Sequence, residues 1–253
     1  MLFKTYGDNT KKACIFIHGM LSTGDSCFPF AKYFYDDYYV IIPTLDSHYA
    51  GSKVIESEKD EAEQILNFLH EENIAEIALV HGTSMGAVIA FSFMMITDIP
   101  VEHYFFDGGP FFKFGRFYKN ILKKPIIATI KKYKQMTKER LSEEGFVKSF
   151  IQNSEKSFDE VYDDYSVVFE YYLKNDVITN LMDISYSFAF PKIASERNVV
   201  FFYSCREPAN KCVKKLRTCY PNSKYLIDKV QGHCGAQSDD PLRYSKLIKS
   251  TMN

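Results

Sequence analysis

Tryptophan is missing from the sequence, although aromatic side chains are plentiful at 22 Phe and 18 Tyr. Neither sign of charge is in surplus. The net charge is −1 at pH 7, so no global field steers the chain toward nucleic acid. No stretch approaches the roughly 20 apolar residues that an integral membrane segment needs. Met1 to Asp8 lacks the apolar run of a secretory signal. The six cysteines, Cys14, Cys27, Cys205, Cys212, Cys219 and Cys234, have no C-x-x-C spacing. That excludes a zinc ribbon and argues against a disulfide frame, so they read as reduced thiols of a cytoplasmic protein. Cys212 and Cys219 are spaced to pack on one helix face. What is present is ordinary for a soluble globular chain: 46% hydrophobic and 25% charged residues. The length of 253 residues accommodates one domain with a large core, or one domain carrying an insertion.

Met1 to Tyr6 reads as a short edge strand. Ala13 to Ile17, Tyr39 to Ile42 (stopped by Pro43), Ile77 to Val80 and Val101 to Phe106 are apolar runs of buried-strand length. Between them lie helical stretches around Phe30 to Tyr35, from Glu56 to Glu72 and from Ala87 to Ile96. In the second of these Ala62, Ile65, Leu66 and Leu69 share one face. This alternation predicts a parallel sheet covered by helices on both faces, with ligands at the carboxyl ends of its strands. From Phe111 to about Arg197 no clean buried strand is legible. Helical segments at Phe117 to Gln135, Lys138 to Gln152, Phe158 to Lys174 and near Ile178 to Ser185 read as an insertion. Its first part is basic and its second acidic. The two read as solvated faces that pair, or else as a basic lid that draws anionic substrates or an anionic surface toward the cleft. Strand character returns at Asn198 to Tyr203 and Lys224 to Val230, with helices at Ala209 to Cys219 and Pro241 to Met252.

The chemistry centres on Gly82-Thr83-Ser84-Met85-Gly86, where a buried strand ends and a helix begins at once. A Gly-x-Ser-x-Gly bend between strand and helix holds its serine in a strained backbone, clear of the sheet. The helix N-terminus behind it favours negative charge. A serine hydroxyl needs a base to act as a nucleophile, and that base needs an orienting group. His233, in a Gly-flanked loop after the last strand, is the best base. His70, His81 and His103 sit in a helix or in strands, with His81 beneath the serine. Two carboxylates compete as the third member. Glu207 ends the penultimate strand and keeps the order Ser, acid, His; Asp107 ends the strand directly after the elbow unit. The backbone N–H groups of Met20 and Met85 are placed to receive an oxyanion.

Phe16-Ile17-His18-Gly19-Met20, Gly82-Thr83-Ser84-Met85-Gly86 and Gly232-His233, in this order, resemble the α/β-hydrolase superfamily. The loop Asp46-Ser47-His48 is similar to the Asp-x-x-Gly-His loop of that group without its glycine. The resemblance implies a three-layer α/β/α fold with a doubly wound, mostly parallel sheet, plus a helical cap. It divides the chain into a core at 1–110 and 197–253 and a cap at 111–196. It implies Ser84 as nucleophile, His233 as base and Met20 and Met85 as oxyanion donors. The sequence departs from the pattern in offering a glutamate where aspartate is commoner, which keeps Asp107 open as the alternative acid. The short N-terminus predicts a reduced number of N-terminal strands.

The expected function is that of a serine hydrolase cleaving a small or medium carboxylic ester or thioester through an acyl-enzyme. Acyl transfer, C–C hydrolysis or peptidase action by the same triad, or ligand binding without turnover, are the alternatives. The chemistry requires no cofactor and no metal. The expected partner is a small ester or acyl substrate, with neither nucleic acid nor an integral membrane segment involved. Phe111, Phe112, Phe114, Phe117, Tyr118, Tyr171 and Tyr172 in the cap offer an apolar acyl pocket, or simply pack cap on core.

Overall fold

The computed structural model describes residues 1–144, 156–229 and 232–252. Within them a seven-stranded sheet runs β1 (Leu2–Tyr6), β2 (Ala13–Ile17), β3 (Tyr39–Thr44), β4 (Ile77–Thr83), β5 (Val101–Asp107), β6 (Val199–Ser204) and β7 (Lys224–Asp228). The spatial order is β1-β3-β2-β4-β5-β6-β7, and only β1 runs antiparallel, against β3. The chain leaves β2 outward to β3 and then returns to lay β4 on the other side of β2. That makes a switch point between β2 and β4, where crevices form at the carboxyl ends of such sheets.

Strand side chains alternate between two cores, as the two-residue period of a strand requires. Ile15, Ile17, Val80, Phe106 and Phe201 face one core, which they share with α2 (Glu58–Glu71), α3 (Met85–Ile96) and the helices that follow β5. Cys14, Phe16, Leu79, Phe105 and Phe202 face the other, against α1 (Phe28–Ala31) and α10 (Pro241–Lys249). The sheet is therefore the middle of three layers. Helix α3 is apolar around its whole circumference, as befits a helix between the sheet and further helices.

Between β5 and β6 the described chain is helical: α4 (Arg116–Lys134), α5 (Lys138–Ser142), α6 (Phe158–Tyr172) and α7 (Asn175–Tyr186). A single bridge between Lys113 and Ser187 ties the two ends of this segment together. Ser157 and Glu160 form a reciprocal capping box at the start of α6. Helix α7 packs on α3, and α4 packs on α6 and α7. Two of the charge pairs expected between the basic and acidic parts form, Lys138 with Asp159 at 2.8 Å and Lys134 with Glu170 at 3.6 Å, and Lys119 meets Asp183. After β6 come α8 (Val213–Cys219) and, following β7, α9 (Gly235–Asp239) and α10.

Some boundaries differ from the sequence reading. Strand β3 runs through Pro43 to Thr44, because its pairing with β2 ends at Ile41 and only the antiparallel edge strand β1 lies beyond. The stretch around Phe30 to Tyr35 is the short α1 followed by a 3₁₀ turn at Lys32–Phe34. Ala209 to Cys219 likewise splits into a 3₁₀ turn from Pro208 and α8. The C-terminal part of the expected Lys138 to Gln152 helix, and Val230 and Gln231, lie outside the described residues. All six cysteines are free thiols.

Candidate active site

Ser84 stands at the end of β4 with φ 54° and ψ −119°, a strained conformation for a residue with a side chain. The glycines around it are required by contact. A Cβ on Gly82 would lie 2.3 Å from the Gly86 carbonyl oxygen, and one on Gly86 would lie 2.4 Å from the carbonyl oxygens of Ile17 and His18. The Ser84 N–H donates to the Asp107 carbonyl at 2.7 Å, which ties the bend to the end of β5.

His233 meets the serine from 149 residues away in sequence, with Nε2 at 3.0 Å from Ser84 Oγ. Its Nδ1 lies 2.5 Å from Glu207 Oε2. The other carboxylate oxygen of Glu207 accepts the Ser204 N–H at 2.6 Å, so the acid is clamped on both sides. The Glu207 side chain is 1% exposed and the imidazole 41% exposed, so the buried acid holds the open base. Burial of the imidazole works against its charged form. The Cys234 side chain and the Glu207 carboxylate favour that form by more, so the His233 pKa stands above the ordinary histidine value. Gly108, at φ 61°, leaves room for the pair: a Cβ there would be 2.8 Å from Glu207 Oε2 and 2.9 Å from His233 Cε1.

Asp107 is turned elsewhere. Its Oδ2 accepts the Tyr244 hydroxyl at 2.6 Å, and that hydroxyl lies 2.8 Å from His81 Nε2 in the core beneath the serine. Burial raises the Asp107 carboxyl to about 7, partly offset by the Tyr244 hydrogen bond. His81 is stacked on Phe105 and pushed down to about 3 by burial. Its Nδ1 has no partner among the described residues, which fits a neutral ring carrying its proton on Nε2.

The Met20 loop leans on the serine: a Cβ on Gly19 would lie 3.0 Å from Ser84 Cβ. Two neutral histidines hold this loop. His18 Nε2 accepts the Leu45 N–H at 3.1 Å, so its Nδ1–H donates to the Gly19 carbonyl at 2.8 Å. His48 Nδ1–H donates to the Asp46 carbonyl, and its Nε2 accepts the Tyr172 hydroxyl at 2.7 Å. That same hydroxyl accepts the Leu21 N–H at 2.9 Å. Burial lowers both histidines, His48 to about 4 and His18 well below its ordinary value. Tyr172, on α6, thus pins the residue after Met20. Sequence reading assigned it only to packing or an acyl pocket, and no local signal marks its hydrogen bonds.

A cavity of about 560 Å³ opens over Ser84 and His233, within the range of small-ligand sites. Its floor is Gly19, Met20 and Thr83, and its helical wall is Thr129 and Tyr133 of α4 and Tyr165 of α6. The seven aromatics expected to form an acyl pocket are not in this lining. Phe111 and Tyr172 are buried in the core, while Phe117 and Tyr118 lie exposed in the first turn of α4, about three turns along the helix from the residues that meet the cavity. Among the described residues one carboxylate group, Asp46, Asp60 and Glu61, has oxygens within 4.8 Å of one another. Gln64 Nε2 donates to Asp46 Oδ2 and to Asp60 Oδ2, both at 3.0 Å, so protein donors already serve it.

Solved structures resemble this one over the whole chain. An alpha/beta hydrolase family protein from Desulfitobacterium hafniense superposes with a TM-score of 0.73 at 17% identity, covering 100% of both chains. The chain has the α/β-hydrolase fold. An esterase from Exiguobacterium antarcticum gives 0.69 at 14% identity, covering 99% of this chain and 94% of the other. A thermophilic esterase from Thermogutta terrifontis gives 0.63 at 15% identity, covering 98% and 91%. No protein-family model matches the sequence, and no curated protein does.

Proposed function

We propose that the protein is a serine hydrolase that cleaves carboxylic esters or thioesters of small or medium size. The observation that carries this reading is the hydrogen-bonded line Ser84–His233–Glu207, which opens into the cavity. Ser84 Oγ attacks the substrate carbonyl carbon and passes its proton to His233 Nε2. Glu207, buried and twice hydrogen-bonded, holds the Nδ1–H tautomer and stabilises the imidazolium that forms. The N–H groups of Met20 and Met85 receive the negative charge that develops on the carbonyl oxygen. Collapse breaks the bond to the alcohol or thiol, which leaves with the proton from His233. Water then gives a proton to His233 as its oxygen bonds the acyl carbon; collapse breaks the bond to Ser84 Oγ, the acid leaves, and His233 returns the proton to Oγ.

In this reading residues 1–110 and 197–253 form the catalytic core and residues 111–196 a cap. The cap's wall of Tyr133, Tyr165 and Thr129 favours an acyl group of modest size. The superposed esterases are consistent with ester chemistry. A panel of p-nitrophenyl esters of graded chain length, beside a thioester set, tests it. The expected result is a stoichiometric burst of p-nitrophenol followed by turnover, both abolished in Ser84→Ala. Hydrolysis that persists in Ser84→Ala overturns the reading.

A further inference from the structure

Helix α4 carries seven lysines and arginines and not one acidic residue, in a chain whose net charge is −1. Its inner side is accounted for: Ile130 is buried in the core, and Thr129 and Tyr133 face the cavity. Its outer side is not. Phe117 is 76% exposed, Tyr118 59% and Ile121 44%. Phe117, Ile121, Lys124, Ala128 and Lys131 follow one another at helical spacings of four, three, four and three, so they form one exposed stripe. Tyr118 flanks its start on one side; Arg116, on the other, turns with Lys119 and Lys123 to the cavity between α4 and α7.

The cations of α4 divide in the same way. Lys119 pairs with Asp183, Lys132 with Glu144, Lys134 with Glu170, and Lys123 with Asn175 and Thr179, all on neighbouring segments. Arg116, Lys124 and Lys131 make no ion pair among the described residues. The outward face therefore combines adjoining large apolar side chains with uncompensated positive charge, over a helix about 28 Å long. Such a face suits the boundary between phosphate headgroups and acyl chains. A second copy of this chain fits poorly, since a two-fold contact through α4 would oppose two basic faces. No described helix is long and apolar enough to cross a membrane.

We propose that the outer face of α4 docks on the surface of an anionic phospholipid bilayer. Phe117 and Ile121 enter the headgroup boundary with Tyr118 at its edge, and Lys124 and Lys131 meet lipid phosphates. Because the opposite side of α4 walls the cavity, docking sets the cavity close to the lipid surface. The inference does not depend on the Ser84 chemistry.

The test is co-sedimentation of the full chain with vesicles of phosphatidylcholine alone and of phosphatidylcholine mixed with phosphatidylglycerol. Binding about ten-fold tighter to the anionic vesicles, reversed by high salt, is expected. The variants F117S/Y118S/I121S and K124E/K131E each lose about ten-fold or more in vesicle affinity. Both keep wild-type hydrolysis of a soluble ester and wild-type circular dichroism, and Ser84→Ala still binds vesicles. Equal binding of wild type and F117S/Y118S/I121S, or no preference for anionic vesicles, overturns the proposal. So does a wild-type dimer in light scattering that F117S/Y118S/I121S converts to monomer, which would assign the face to a second copy.

Discussion

Glu207 lies 2.5 Å from His233 while Asp107, which ends the strand next to it, bonds Tyr244 instead. Two carboxylates reach the same edge of the sheet and only one addresses the imidazole. Glu207→Gln is therefore expected to lower kcat by about 10³-fold or more, because the amide no longer holds the correct tautomer and charge. Asp107→Asn keeps a hydrogen-bonding partner for Tyr244 and is expected to cost less than about ten-fold. Steady-state kinetics of the two variants on one ester checks this, and the reverse ranking would move the acid to Asp107.

The raised pKa of His233 has a direct readout. A base whose charged form is favoured takes up its proton at higher pH than a free histidine. The NMR titration midpoint of its Cε1 proton is expected above 6.5. Glu207→Gln removes one of the groups that favour the charged form, so the midpoint moves down. The acid limb of kcat/KM lies at the wild-type midpoint, since only the neutral imidazole accepts the serine proton. Equal midpoints in wild type and Glu207→Gln would contradict the coupling.

Much of the architecture was legible because it is written in local apolar runs. Ala13 to Ile17 and Ile77 to Val80 are continuous hydrophobic stretches of strand length, and the elbow between β4 and α3 is a five-residue pattern. Chain order favoured Glu207 as the acid but left Asp107 open. What removes Asp107 was not legible, because it depends on how the chain turns at Gly108 and on a tyrosine arriving from α10, more than 130 residues away. Tyr172 was hidden for a related reason. Its spacing from Val168 and Tyr165 marks it as apolar face, and it is indeed fully buried, while its hydroxyl acts only through the placement of α6 over the Met20 loop.

Tyr172→Phe removes that hydroxyl without changing the packing ring. Leu21 N–H then loses its acceptor and His48 Nε2 its donor, freeing the loop that carries the Met20 N–H. The expected outcome is kcat down about ten-fold with KM little changed, and a boronic acid inhibitor weakened in proportion to kcat. A rise in KM with kcat intact would make Tyr172 a substrate-binding residue and not a positioning one.

Glu61 offers a test on stability. Burial, with the Asp46 carboxylate nearby, pushes it from 4.5 up to about 8. Across that window the folded chain holds a proton that the unfolded chain has released, so stability falls as pH rises through it. Glu61→Gln removes this contribution. The Tm of the variant is expected to decline less than that of wild type from about pH 5 to about pH 8. Parallel Tm curves would show that Glu61 is ionised throughout.

The central claim is that His233 makes Ser84 Oγ a nucleophile, and a fluorophosphonate reports on that bond alone. The oxygen joins phosphorus, fluoride departs, and the adduct is located by peptide mass spectrometry. The account predicts one stoichiometric adduct on Ser84, none in Ser84→Ala, and labelling slowed by about 10²-fold or more in His233→Gln. An unlabelled wild type, or His233→Gln labelling at the wild-type rate, would contradict it.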